Sequence, residues 1–298
     1  MPTGARRLLF VSNTQDNTIS RFLLDGKGGI QSAGAATHLA NPDAQPCDIE
    51  VSPDGRFLFV GTVPNAVEVF SIDKNSGNLQ PVQNSPFTVA TKTYALAVTH
   101  SGQNLYAVGD DSDVIYGFTI DGTTGKLTQL TTDPVHTRFA LTGVAIDASD
   151  KFLFASTAIG EKLLIYNILP SGALQEAVSS GLRSGYLTGD PIVAPNGRFV
   201  YISDPFFDNG ILAYTLDAIS GMVAAVPGSP FFDGQAPYSV AVSPHSSVLV
   251  VSRGNPGHVA SYRINPQTGA LSAISGNLSD SGLAVGKDPN HVLLVPIG

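Results

Sequence analysis

The sequence predicts an all-β protein, a β-propeller of four-stranded blades, and three observations carry that prediction. A polar turn followed by a short apolar run, VSPDGRFLFV at 51–60, returns as VTHSGQNLYAV, IDASDKFLFAS, VAPNGRFVYIS and VSPHSSVLVVS. The first residue of each apolar run is Leu8, Phe57, Asn104, Phe152, Phe199, Val248 and Val292, at intervals of 49, 47, 48, 47, 49 and 44 residues. A second marker keeps the same period, a glycine closing a polar turn at Gly29, Gly77, Gly125, Gly172, Gly221 and Gly269. A fixed period of this size marks a repeat architecture. Four short strands per repeat, arranged radially, make a propeller blade.

Each strand has its own justification. In the second repeat CDIEVS (47–52) is the inner strand and RFLFVGT (56–62) the second, joined by the turn PDG. AVEVFSID (66–73) alternates as a third strand and NLQPV (78–82) is the outer one. The runs are rich in Val, Ile, Phe and Tyr and bounded by Gly, Pro, Asp and Asn, the composition of strands and turns. No segment shows a sustained helical period with caps.

Six inner strands are readable: CDIEVS, YALAVTH, LTGVAID, DPIVAP, YSVAVS and GLAVG. The second-strand run occurs seven times, HVLLVPIG being the last. The count favours six blades in a single domain, 1–298, with N- and C-terminal strands sharing one blade that closes the ring and leaves no free sheet edge there. Seven blades with a degenerate last one is the alternative.

Composition excludes several functions. Charged residues are 13% of the chain, about half the usual ~25%, and the net charge is −8 with no basic run longer than Arg6 and Arg7. Phosphate backbones and anionic membranes need clustered Lys and Arg, so neither nucleic acid nor a membrane surface is expected as partner. A small anionic molecule needs only one or two basic groups and fits, as does a protein partner. The single cysteine, Cys47, forms no internal disulfide and reads as a small buried apolar residue. No 18-residue apolar run is present, so no membrane span is expected. No phosphate loop, zinc spacing or nucleophile elbow is present, and no metal or cofactor is expected. The N-terminus, MPTGARRLLF, lacks an apolar signal core. The low-charge composition points to export with the leader absent, with cytoplasmic residence as the alternative.

In a propeller the loops between second and third strands, and between fourth and first, lie on one face around the channel, where a rigid frame presents binding residues. Seven equivalent positions end the second strands: Asn13, Thr62, Gly109, Thr157, Asp204, Arg253 and Ile297. A purely structural position would be uniform. This one varies, and adjacent blades carry Asp204 and Arg253. Arg253 offers a planar fork for a carboxylate or phosphate, or pairs structurally with Asp204. His136 and Arg138, in DPVHTRFALTG, read as a channel-face base and oxyanion donor, or as an exposed loop pair. His38 is a weaker case of the same kind, while His100, His245 and His291 read as turn residues. Phe206, Phe207, Phe231 and Phe232 fall in channel-face loops, as a ligand platform or as plugs between blades. Asp110, Asp111 and Asp113 crowd one loop without calcium-loop spacing and read as a polar turn.

The segments QPCDIEVSPDGRFLFVGTVP, APYSVAVSP and VSRGNPGHVASYRINPQTGALS resemble the lactonase-type propellers. That family includes bacterial 6-phosphogluconolactonases, carboxymuconate-lactonizing enzymes and related propellers with YVTN-type repeats. The resemblance covers the whole chain and lies mostly in blade-building positions, which specify fold more than function. Family members are typically seven-bladed and about one repeat longer. The resemblance implies an active-site arginine at the position of Arg253, in SR. The family's other groups are not matched. Its inner-strand His is replaced in LTGVAID, which has Thr142; its P-R-H corresponds to TGDPIVAP; its N-E corresponds to SDPF, with Asp204; and its closing P-R-x has become DSGLAV. The expectation is therefore a ligand- or protein-binding propeller with weak or no lactonase activity, using Arg253, Asp204 and His136, with Arg138, Asn13, Thr62, Thr157, Phe206 and Phe207 around the ligand. The alternative is a hydrolase of a small anionic sugar-acid or phosphosugar lactone.

Overall fold

The computed structural model describes residues 7–24, 30–89, 92–109, 112–130, 134–158, 163–177, 189–206, 210–232, 237–253, 259–274 and 289–296. The fold is an all-β propeller of six four-stranded antiparallel blades. Two compact units divide the chain, Met1–Gly109 with Ile115–Pro134 and Ala284–Gly298 in one, Asp110–Val114 with Val135–Leu283 in the other. The first unit carries blades 1 to 3, whose second strands are Arg7–Asn13, Phe57–Val63 and Asn104–Val108. The second carries blades 4 to 6, with second strands Phe152–Thr157, Phe199–Asp204 and Val248–Arg253.

Blade 2 shows how the sequence produces the unit. Its strands are Gln45–Val51, Phe57–Val63, Ala66–Ile72 and Leu79–Pro81, in that order across the sheet. The turn between the first two is held by Ser52, whose hydroxyl accepts the amides of Arg56 and Phe57 at 3.1 and 3.0 Å. Second strands are apolar without alternation because both faces are covered. Every residue of Phe152–Thr157 and Phe199–Asp204 is buried. Between blades 4 and 5, Phe154 and Ile165 pack with Val200, Ile202 and Leu212. A run of this kind, short and bounded by turns, is the mark of a strand covered on two sides.

The end of the chain corrects one reading. HVLLVPIG is not a seventh second strand. The strand Pro289–Pro296 pairs antiparallel with Arg7–Asn13, and so is the inner strand of blade 1, which is built from both ends of the chain. Val292 lies opposite Val11, as Ile49 lies opposite Val60 in blade 2. GLAVG, expected in that role, lies outside the described residues, as does Ile297. Inner and second strands are both short Val- and Leu-rich runs, so composition alone does not separate them. The short last interval of 44 residues was the available sign.

A fifth, two-residue strand is the other addition. Thr37–His38, Phe87–Thr88 and Phe231–Phe232 pair with the third strands of blades 1, 2 and 5, and Val135–His136 is their counterpart in blade 3. His38, His136, Phe231 and Phe232 are therefore in short strands at the outer edges of blades. Phe232 and His38 lie opposite Gly210 and Thr18, which lie opposite Asp204 and Asn13, so these strands are level with the second-strand ends but two strands outward.

The two periodic markers of the sequence prove to touch. A β-carbon added at Gly77, Gly125, Gly221 or Gly269 would lie 2.5 Å from the side chain of Leu8, Phe57, Phe152 or Phe199 respectively. Each of these four turn glycines thus seats against the residue that opens the apolar run of the preceding blade's second strand, which is why both recur with one period. No helix among the described residues is long and apolar enough to cross a membrane.

Candidate functional site

In the second unit the second strands of blades 4, 5 and 6 end at Thr157, Asp204 and Arg253. Thr157 is fully buried. Asp204 is also fully buried, opposite Gly210, and its Oδ1 accepts the Phe206 amide at 3.2 Å. That bond shapes the turn into the loop that carries Phe206, which is 53% exposed. Arg253 closes the second strand of blade 6 opposite Pro237. The Arg253 side chain and Phe207 lie outside the described residues.

A polar group at the start of the neighbouring inner strands went unread in the sequence. The Ser156 hydroxyl is buried 3.0 Å from that of Thr142 and 3.4 Å from the Gly189 carbonyl oxygen. A β-carbon at Gly143 would lie 2.3 Å from Asp190 Oδ1 and 2.6 Å from its Cα, so glycine is what lets the inner strands of blades 4 and 5 meet here. Asp190 and Thr142 are both partly exposed. Each thus offers a partly exposed polar side chain at the start of an inner strand, of a kind that suits a polyhydroxylated ligand. The available signal was positional: Asp190 stands where blade 2 has Asp48, one residue before the position of Ile49.

In the first unit the equivalent residues are spent on the fold. Asn13, fully buried, directs its side-chain amide to the Thr18 carbonyl and hydroxyl and the Ser20 hydroxyl at 3.3, 3.1 and 2.9 Å. The Thr62 hydroxyl donates to the Ala66 carbonyl at 3.0 Å, across its own hairpin. Asp48 is a clamp between blades, its two oxygens accepting the amides of Ile49 and, from blade 3, Leu96, each at 2.7 Å. Glu68, buried on the third strand of blade 2, accepts the Ala40 amide with both oxygens. Burial pushes its carboxyl up, against the opposing pull of amides from Ala40 and Asn41.

His136 and Arg138 are elsewhere. The imidazole of His136 is 67% exposed, with Nδ1 3.5 Å from Asp113 Oδ1. Arg138 adopts a left-handed backbone conformation, φ 66°, in the next turn. Both line a crevice on the outer side of blade 4 with Leu164, Tyr166 and Glu176. The described structure thus puts Thr157 and Asp204 at the second-strand ends of blades 4 and 5, with Phe206 just after Asp204, and His136 and Arg138 at an outer edge. Among the described residues no three His, Cys, Asp or Glu side chains form a metal-ligating group. Asp110 and Asp111 lie outside the described residues.

Comparison of the chain with known proteins gives the following similarities. The family model described as Lactonase, 7-bladed beta-propeller matches residues 3–141 and 177–284. A 6-phosphogluconolactonase of Pectobacterium carotovorum is 22% identical over 307 residues, covering 98% of this chain and 86% of that protein. A 6-phosphogluconolactonase of Photorhabdus laumondii is 36% identical over 89 residues, covering 30% of this chain and 26% of that protein. The periplasmic gluconolactonase of Pseudomonas aeruginosa shares the fold, with a TM-score of 0.61 at 16% identity over 98% of this chain and all (100%) of that one.

Proposed function

Because the chain belongs to the lactonase family of β-propellers, we propose that it binds a small anionic sugar acid or its lactone at the second-strand ends of blades 4 to 6, with little or no hydrolysis of the lactone. In this reading Arg253 captures the carboxylate or phosphate, Asp190 and Thr142 receive hydroxyls, and Phe206 lies against the apolar face of the sugar. The observation that carries the reading is the placement of the candidate bases. Opening a lactone by water needs a base within hydrogen-bond reach of the attacking water and donors for the developing oxyanion. Asp204 is fully buried and engaged by the Phe206 amide, so it shapes the loop and does not meet a water in the site. His136 faces Asp113 on an outer edge. Binding groups are supported at the strand ends; of the bases expected there, neither Asp204 nor His136 is placed to act as one.

The second reading, a working lactone hydrolase, is favoured by the name of the Pectobacterium relative, which aligns over nearly the whole chain. Asp190 would then be the candidate base.

Titration calorimetry with 6-phosphogluconate, the stable open-chain acid, tests the binding. Saturable binding is expected. Arg253→Ala is expected to weaken it roughly tenfold to 150-fold, since a hydrogen bond to a charged group is worth about 1.5–3 kcal/mol, with the melting temperature unchanged. Absence of saturable binding by the unmodified chain would overturn the proposal.

A further inference from the structure

On the outer side of blade 4 a crevice of about 270 Å³ opens between residues 136–139 and the third and outer strands. Its walls carry opposite charges that are not spent on one another. The Arg138 guanidinium lies on one side and the Glu176 carboxylate on the other, and neither enters an ion pair among the described residues. Phe139 is the partly exposed apolar wall, and the buried Leu164 and Tyr166 lie beneath the floor, Tyr166 being only 2% exposed. Glu176 lies directly opposite Tyr166 in the strand register. Burial first, and the Glu176 charge second, push the Tyr166 hydroxyl up to about 12, so near neutral pH it is an uncharged donor.

The turn that presents Arg138 is held on both sides. The Thr137 amide donates to the Asp113 carbonyl at 2.6 Å. The Thr137 hydroxyl lies 2.7 Å from the Phe139 carbonyl oxygen and 3.0 Å from that of Asp113. Arg138 itself sits at φ 66°, a conformation that costs a side-chain-bearing residue free energy and that its neighbours must impose. His136 also lines the crevice, with its Nδ1 3.5 Å from Asp113 Oδ1. The guanidinium is therefore offered to the crevice from a fixed base.

We infer that this crevice is a second binding site, for a small zwitterion of the amino-acid class. The ligand's carboxylate meets Arg138, its ammonium meets Glu176, and its side chain lies against Phe139. Among the described residues neither charge has an ion-pair partner, and a ligand that carries both signs matches both at once. Size agrees: a crevice of about 270 Å³ has room for a ligand as small as an amino acid. The inference is independent of sugar-acid binding at the strand ends.

Calorimetric titration with L-leucine, 4-methylpentanoate and 3-methylbutylamine tests it, the last two each lacking one charge. Leucine is expected to bind saturably, and each single-charge analogue at least about tenfold more weakly, the loss expected for one charge-assisted hydrogen bond. Arg138→Ala and Glu176→Gln are each expected to weaken leucine binding by at least about tenfold on the same grounds, leaving the melting temperature and the response to 6-phosphogluconate unchanged. No saturable binding of leucine at millimolar concentration would overturn the inference. So would equal binding of 4-methylpentanoate, which would make the crevice a simple anion site, or leucine binding indifferent to both substitutions.

Discussion

Asp48→Ala is expected to destabilise the protein by about 3 kcal/mol or more, because two hydrogen bonds to a buried charge are lost at about 1.5–3 kcal/mol each. The carboxylate is 2% exposed and holds the amides of Ile49 and Leu96 at 2.7 Å, so it ties the inner strands of blades 2 and 3 together. Its removal leaves the Leu96 amide buried without that acceptor, and the loss of the partner costs more than the bond itself contributes. Asp48→Asn sharpens the test. An asparagine keeps one acceptor but turns an amide NH₂ toward an N–H donor, so it is expected to cost nearly as much as alanine. Urea unfolding, read as a shifted midpoint at constant slope, measures both. An asparagine variant within about 0.5 kcal/mol of the unmodified protein, the range of an ordinary surface substitution, would show that the clamp contributes little.

Gly221→Ala is expected to cost about 2–5 kcal/mol, from two sources that can be separated. Gly221 has φ 72°, where a β-carbon costs about 1–2 kcal/mol. That β-carbon would also lie 2.5 Å from Phe152 Cε1 and 2.6 Å from Cδ1, and overpacking of this kind costs about 1–3 kcal/mol. Gly197 supplies the control, with φ 66° and nothing within 4 Å of an added β-carbon. Gly197→Ala should show only the conformational cost, about 1–2 kcal/mol. The difference between the two variants is the packing between blades 4 and 5, and Phe152→Leu in the Gly221→Ala background should recover part of it. Equal losses at the two glycines would mean that the marker residues do not hold the blades in register.

The repeat was legible because it is written twice, in the apolar residue that opens each second strand and in the turn glycine that seats on it. The turn chemistry was legible too, since Ser52 at the head of SPDG, and Asp73, Asp121 and Asp217 in the later turns, bond backbone amides a few residues on. What was not legible follows from physics that sequence patterns do not carry. HVLLVPIG satisfies an inner or a second strand equally, and only pairing with Arg7–Asn13 distinguishes them. Strands of two residues, such as Val135–His136, are too short to show a period, so His136 was placed with the loops at the strand ends. At the site, the second-strand ends marked Asp204 by position, but burial decides what a carboxylate can do, and Asp204 is fully buried. Asp190 and Gly143 are far apart in sequence and are recognisable as a pair only once two inner strands meet.

The most direct test of the functional account is the rate at which 6-phosphogluconolactone opens in the presence of the protein, with the spontaneous rate subtracted. No catalysed rate distinguishable from background is expected at micromolar protein, alongside measurable binding of 6-phosphogluconate, because Asp204 is fully buried and His136 lies at an outer blade edge. General-base assistance typically contributes ~10²–10⁴-fold, so its absence is not a subtle deficit. Turnover at roughly 1 s⁻¹ or faster, within the ordinary range for enzymes, that is abolished by Asp190→Asn or His136→Ala would contradict the account and make the protein a lactone hydrolase with a relocated base.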